Sequence, residues 1–292
     1  MTHLILVDGS SYIYRAYHAV PPMARSDGMP VNAVYGFCFM LWKLLRTSEC
    51  THIAVVFDKA KHTFRNDIYH EYKAHRPPPP DDLVPQFTFI RDAVRAFNIP
   101  SVEQAGFEAD DLIATYAREA DGEVTIISSD KDLMQIVNNR VTMYDTMRDR
   151  RIGINEVVEK FGVYPGKVVD VLSLIGDPTD NVPGVPGIGA KIAAQLITEY
   201  GDLETLLDRV GEVKQEKRRL ALTNNAELAR LSKRLVTLND RVELDVPLDA
   251  LTVRQIDNWR LLSFFRGMEF YSLANDVPPW VNPLDEPIEE FA

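Results

Sequence analysis

Nine carboxylates in this chain have the types and spacing of a metal site. They fall in five clusters: Asp8 in LILVDGSS, Asp58 in IAVVFDK, Glu108, Asp110 and Asp111 in GFEADDL, Asp130 and Asp132 in ISSDKDL, and Asp177 with Asp180 in IGDPTDN. A lone Asp after a strand is common at turns and helix caps. Several clusters in one chain say more. Three of them follow short apolar runs that read as buried strands, and in an open parallel sheet the carboxyl ends of the strands line one crevice. So many negative charges share a crevice only with compensation, which hard divalent cations with oxygen shells supply. Two such ions can clamp the attacking and leaving oxygens of a phosphodiester. The chemistry expected is metal-dependent phosphoryl transfer to water.

The elements that must position these groups follow from periodicity. LILVD at 4–8 reads as a strand, followed by a loop through Pro21, Pro22 and Gly28. A helix near 33–47 and a strand at 53–57 then give the spacing of a parallel crossover. Further helices are expected at 82–97 and 109–119, and strands at 124–128 and 141–145. From about 154 the pattern turns helical, near 155–161, 166–175, 190–200, 202–209, 214–237 and 252–265. The expected division is an α/β domain over 1–153, a helical subdomain over 154–273, and an acidic, Pro-rich, loosely ordered tail over 274–292.

Composition narrows the class. The 292 residues hold 43 Asp and Glu against 32 Lys and Arg, a net charge of −11. Setting aside the nine candidate ligands brings the two signs nearly level. The last 17 residues carry five acids and no Lys or Arg, so the remainder is slightly basic. A polyanionic substrate is therefore compatible with the charge. No stretch approaches the ~20 apolar residues of a membrane span. Strand character within three residues of the start argues against a signal peptide, and two unpatterned cysteines suit a reducing cytoplasm.

Two segments could handle phosphate. GVPGIGAK at 184–191 lies between two expected helices; Gly184, Gly187 and Gly189 would let backbone approach a phosphate, and Lys191 adds charge. The string matches a helix–hairpin–helix used for sequence-independent DNA binding. Segment 59–76 mixes five Lys/Arg with Phe64, Tyr69 and Tyr72, the pairing of charge and stacking rings that suits single strands. Lys59, Arg65 and Tyr72 are DNA-contact candidates there. Lys73 and Arg76, three apart, would share a helix face and could stabilise a reacting phosphate, and Arg15, about two helical turns after Asp8, could do likewise. A basic stretch over 214–234 reads equally as a solvated face or a DNA contact. No HExxH or Cys/His zinc spacing, GxSxG elbow or dinucleotide fingerprint is present.

In order, LILVDGSSYIYRAYHA, VVFDKAKHTFR, YKAHRPPPPDDL, GFEADDLIAT, SSDKDLMQ and LIGDPTDNVPGVPGIGAK make the chain resemble, from residue 3 to about 273, the 5′ nuclease domains of bacterial DNA polymerase I, within the flap endonuclease superfamily. The resemblance implies a PIN-like, Rossmann-like α/β core with a mostly parallel sheet, a helical arch over about 73–97, and a helix–hairpin–helix subdomain. It implies cleavage of DNA at a 5′ flap or nick, and of RNA primers, leaving a 5′-phosphate. Two Mg²⁺ or Mn²⁺ ions are implied, one held mainly by Asp8, Asp58, Glu108 and Asp110. The other would be held by Asp130, Asp132 and Asp177, with Asp111 and Asp180 acting through water or from behind the ligands. It further implies Lys73 and Arg76 on the scissile phosphate, Arg15 as a phosphate contact, Tyr72 stacked on a base, and K⁺ on the hairpin carbonyls. A polymerase domain on the same full-length chain or in trans, a monomer, and the bacterial cytoplasm at the nucleoid complete the expectation. The alternative is a flap-binding module that cuts poorly, whose mark would be lost ligands in the second cluster. A haloacid-dehalogenase-type phosphatase needs a second Asp two residues after Asp8, where Ser10 stands, and a small PIN-type ribonuclease needs no helical half.

Overall fold

The computed structural model describes residues 2–278. Six strands form one sheet: β1 (His3–Asp8), β2 (His52–Val56), β3 (Ser101–Val102), β4 (Glu123–Ile127), β5 (Val141–Asp145) and β6 (Arg150–Ile152). Their order is β3-β2-β1-β4-β5-β6. β1 runs parallel to β2 and β4, β4 runs parallel to β5, and β6 closes the edge antiparallel. The chain builds outward from β1 through β2 to β3, then returns to add β4 on β1's other side. β1 is thus where the strand order reverses, the place where open α/β sheets bind ligands beyond their strand ends.

The described residues form two compact units. The first takes the chain up to Tyr12, Cys50–Pro78 and Val102–Thr252. In it, alternate strand residues Leu4, Leu6, Ala54, Val56, Val124 and Ile126 face a core that includes Leu112, Ile113 and Tyr116 of the helix Ala109–Glu119. The core does not stop at the sheet. It continues through Val171, Leu172 and Leu174 to Ala193, Leu196, Ile197 and Leu235 of the helical segments. One hydrophobic interior therefore backs both the strand ends and the helices that follow them.

At the turn between two of these helices, Val168–Ile175 and Ala190–Tyr200, the chain crosses itself on two glycines. Gly176 and Gly184 both have positive φ, 74° and 63°. A Cβ on Gly184 would lie 2.5 Å from the Gly176 nitrogen and from the Ile175 carbonyl, and one on Gly176 2.5 Å from the Val182 oxygen. No side chain fits between these backbones.

The second unit takes Ile13–Glu49, Pro79–Ser101 and the chain from Val253. Its helices are Asn32–Thr47, Gln86–Ala96, Asn258–Gly267 and Tyr271–Asp276. Buried Gln86 accepts the Ala33 and Val34 N–H groups at 2.8 and 3.2 Å and donates to Asn32 Oδ1 at 2.9 Å. One side chain thus satisfies the open start of the neighbouring helix. Trp42, Phe97 and Phe265 form its aromatic centre.

Several expectations change. The loop expected after β1 opens instead as the helix Gly9–Ala19. The helix expected from 82 begins at Gln86, because Pro85 restricts the residue before it. The segment 214–237 is two helices, Glu216–Asn224 and Ala226–Val236. The loose tail expected from 274 starts inside the helix Tyr271–Asp276, and its residues 279–292 lie outside the described residues.

Gly184→Ala should cost about 2 kcal/mol or more, combining a left-handed backbone with a backbone clash. Urea unfolding measures it, and an unchanged midpoint would contradict the crossing.

Candidate metal centre

Asp8 ends β1 and is buried. Its Oδ1 accepts the Ser11 N–H at 3.0 Å, so the ligand candidate also caps the helix that starts beside it. That helix can start at once only because residue 9 is Gly: a Cβ there would lie 2.5 Å from the Phe57 ring. Asp8 Oδ2 accepts the Ser128 hydroxyl at 2.8 Å, and Ser128 Oγ accepts the Asp130 N–H at 3.0 Å. After β2, Asp58 Oδ1 accepts the Ala109 N–H at 2.8 Å, and the Asp58 N–H donates to Ser10 Oγ at 3.2 Å. Glu108 is the N-cap of the helix Ala109–Glu119, with Asp110 in its first turn, where carboxylates suit the helix dipole. Short hydrogen bonds made by side chains thus tie the ends of β1, β2 and β4 together beside one helix start.

A second group adjoins the first. Asp130 Oδ1 accepts the Asp132 N–H at 2.9 Å. Asp132, Asp177 and Asp180 each offer one carboxylate oxygen within 4.8 Å of the others. Asp177 and Asp180 sit in a tight turn, closed by the pair of backbone bonds between Asp177 and Val182. Asp132 Oδ1 is buried with no hydrogen-bond partner. A buried, unpartnered carboxylate oxygen on a residue grouped with two further acids suits a cation site.

The electrostatics agree. Burial, with Asp130 and Asp58 adding like charge, pushes the Asp8 carboxyl up to about 7 despite its bonds from Ser11 and Ser128. Burial and then Asp130 raise Asp132 to about 7, against the pull of Lys131. Asp110 lies well above the carboxylate range, from burial and then the charges of Asp130, Asp8, Asp58 and Glu108. Asp130 acts on all three, so the two groups share one field. All the donors are oxygens, the set that suits Mg²⁺ or Mn²⁺ rather than softer metals.

Cations rim the cluster. Lys73 Nζ lies 2.7 Å from Glu108 Oε1 and 3.7 Å from Asp180 Oδ2. Burial works against the Lys73 ammonium, but Glu108 and Asp180 outweigh it and hold it charged. Arg76 Nε donates to Asp180 at 3.1 Å. Lys131 Nζ reaches Asp177 Oδ2 at 2.8 Å. Lys131 and Ser128 were missed in the sequence; their only signal was adjacency to Asp130.

Other candidates stand elsewhere. Arg65, expected on DNA, is 1% exposed and forks onto Asp111. Tyr72, expected to stack on a base, is 5% exposed, and its hydroxyl donates to Glu108 at 3.2 Å. Asp111 faces Arg65 rather than the cluster. Gly184 is buried in the chain crossing, its N–H donating to Ser232. Gly187, Gly189, Lys191 and Lys59 are exposed. Arg15 is half-buried on the helix Gly9–Ala19, in its second-unit part. In the basic stretch, Arg230 pairs with Glu204 and Glu227, and Lys233 with Asp170, which neutralises part of that face.

A sheet gathering carboxylates at its switch point suits metal-dependent hydrolysis of phosphate esters, and known proteins narrow this to a nuclease. Residues 3–162 match the family model of the 5'-3' exonuclease N-terminal resolvase-like domain, and residues 163–259 that of the 5'-3' exonuclease C-terminal SAM fold. DNA polymerase I of Rhizobium leguminosarum is 54% identical over 286 residues, covering 94% of this chain but 28% of that protein. The chain spans only about a third of the length of such relatives. The 5'-3' exonuclease of Aquifex aeolicus is 36% identical over 280 residues, covering 95% of this chain and 96% of that protein. Among solved structures, T5 5'-exonuclease with bound divalent metal ions (zinc) superposes with a TM-score of 0.70 at 25% identity, over 81% of this chain and 90% of that one. The catalytic core of Rad2 in complex with DNA substrate shares the fold, with a TM-score of 0.63 at 19% identity over 94% and 91%. The chain belongs to the 5'-3' exonuclease family and is a nuclease acting on phosphodiester bonds.

Because Asp8 and Asp132 are raised in the folded state, the folded protein binds more protons than the unfolded chain between about pH 4 and 7. Their contribution to stability is present at low pH and lost as pH rises through about 7. The metal-free protein should therefore melt higher at about pH 6 than at about pH 8, and Mn²⁺ should recover the difference at the higher pH. Thermal melts in chelator and in Mn²⁺ test both; a metal-free melt insensitive to pH would refute the carboxylate repulsion.

Proposed function

We propose that this chain hydrolyses phosphodiesters of DNA with a free 5′ end, cutting 5′ flaps and nicked strands and removing RNA primers annealed to DNA. The observation that carries the reading is the convergence of Asp8, Asp58, Glu108, Asp110, Asp130, Asp132, Asp177 and Asp180 at the switch point of the sheet.

Asp8, Asp58, Glu108 and Asp110 would hold one divalent ion, and Asp130, Asp132 and Asp177 a second, with Asp180 beside it. Mg²⁺ or Mn²⁺, when bound, supplies charge neutralisation at the phosphate and a more acidic water. The chain's own groups do the rest. Ser11 and Ser128 fix the Asp8 carboxylate through both its oxygens. Lys73 and Arg76 are held at the rim by Glu108 and Asp180, where they would stabilise the developing charge of a bound phosphate. Arg15 is a further phosphate contact in this reading. Gly187, Gly189 and Lys191 lie at the exposed start of the helix Ala190–Tyr200. The open N–H groups of a helix start and a lysine suit a duplex backbone, with K⁺ as a companion on the hairpin carbonyls.

The relatives named DNA polymerase I suggest a polymerase as partner, on the same full-length chain or in trans, during replication and repair in the bacterial cytoplasm. No helix among the described residues is long and apolar enough to cross a membrane.

An end-labelled 5′-flap duplex should be cut near its junction only with Mg²⁺ or Mn²⁺, while the matching 3′-flap survives. Tight binding without cutting would sink the reading. Lys73→Ala should lower kcat by about 100-fold or more and change substrate affinity by less than about threefold. An equal loss in both would move Lys73 from chemistry to docking.

A further inference from the structure

Asp111 follows Asp110 in sequence, but its surroundings are of a different kind. It is 0% exposed, and both of its oxygens are fully used. Oδ1 accepts Arg65 Nη2 at 2.8 Å and the Asn239 N–H at 2.9 Å. Oδ2 accepts Arg65 Nη1 at 2.7 Å and the Glu108 N–H at 3.0 Å. A carboxylate has about four lone-pair sites, and here four donors fill them. No oxygen is left for a cation, in contrast to the orphaned Oδ1 of Asp132.

Arg65 is equally committed. Nε donates to the Leu235 carbonyl at 2.8 Å and Nη2 to the Thr237 carbonyl at 3.3 Å, while Nη1 lies 3.7 Å from Glu108 Oε2. Leu235 lies in the last turn of the helix Ala226–Val236 and Thr237 is its C-cap, where a cation is favoured and the last carbonyls need donors. The guanidinium therefore ties three places together: its own helix Phe64–Ile68, the start of the helix that carries Glu108, and the end of Ala226–Val236.

The same helix end is gripped from the other metal group. Gln135 Nε2 donates to the Asp132 and Val236 carbonyls, both at 2.9 Å, and Gln135 Oε1 accepts the Leu238 N–H at 3.1 Å. Residues 235–239 are thus clasped by Arg65 and Asp111 on the Glu108 side and by Gln135 on the Asp132 side.

We propose that Asp111 is not a metal ligand but forms with Arg65 a buried positioning pair, which sets Glu108 against the exit of the helix Ala226–Val236, while Gln135 sets Asp132 against the same exit. The segment 235–239 is then the strut that holds the two metal groups at a fixed separation. This rests on the metal-centre reading above, and the experiment separates the two.

The decisive contrast is the sign of a stability change in chelator. A ligand carboxylate is repelled by its neighbours, so Asp8→Asn should raise the metal-free melting temperature and weaken Mn²⁺ binding measured by calorimetry. Asp111 is attracted to its neighbour, so Asp111→Asn should lower the metal-free melting temperature by several degrees. It should keep the number of Mn²⁺ ions bound and weaken their affinity by no more than about tenfold, the lower range for a residue behind the ligands. Arg65→Lys, which keeps the charge and loses the fork, is the milder partner variant. It should lower kcat with KM unchanged, and its effect on Mn²⁺ affinity should be non-additive with that of Asp111→Asn. A rise in metal-free melting temperature for Asp111→Asn, loss of one bound ion, or additivity with Arg65→Lys would overturn the proposal. Failure of Asp8→Asn to weaken Mn²⁺ binding would strike the metal-centre reading itself, and the proposal with it.

Discussion

The structure is organised around a repulsion. Eight carboxylates converge where the strand order reverses, several of them buried, and each one desolvated beside another works against folding. Such a cluster persists only where the backbone beneath it cannot relax. Three neighbouring parallel strands, β1, β2 and β4, deliver their carboxyl ends to one side, and the core behind them runs unbroken into the helical segments. The carboxylates are then pinned individually: Asp8 by Ser11 and Ser128, Asp58 by Ala109, Asp177 by Thr179. These bonds also satisfy polar backbone at helix starts and turns, so local structure and site geometry are set by the same contacts.

Much of this was legible in the sequence because the decisive signals are local. Apolar runs ending in Asp gave β1, β2 and β4, and the same acids are those the strands bring together. β3 and β6, two and three residues long, carry too little pattern to be read. The stretch after Asp8 reads as the start of a loop. It is a helix because Asp8 caps it and because Gly9 alone fits beside Phe57, a contact 48 residues away in sequence.

What sequence reasoning misjudged were partners. The segment 59–76 has the composition of a strand-binding surface, and Lys59 remains exposed as that reading requires. Arg65 and Tyr72 are buried because Asp111 and Glu108, some forty residues later, lie against them. A count of charges cannot tell a cation waiting for phosphate from one already neutralised. The GVPGIGAK string shows the same limit: its first glycine serves a chain crossing with Gly176, while Gly187 and Gly189 face outward.

Unusual backbone lies beside the repulsion. Lys73 and Asn181 are non-glycine residues with φ of 56° and 57°, a conformation that persists only where surrounding contacts over-determine it. The two segments hold each other in place: the Lys73 N–H donates to the Asp180 carbonyl at 2.9 Å, and Asn181 Nδ2 donates to the Glu71 carbonyl at 2.7 Å. Lys73 is thereby fixed between Glu108 and Asp180, acids from two different parts of the chain. Lys131 is drawn to Asp177 and Arg76 to Asp180 in the same way. The cations that quiet the cluster arrive from segments before β3 and after β4, so the site exists only when all of them have docked. A charge balance assembled from such distant pieces makes the centre a product of tertiary structure, with its cations held at the rim by the carboxylates they neutralise.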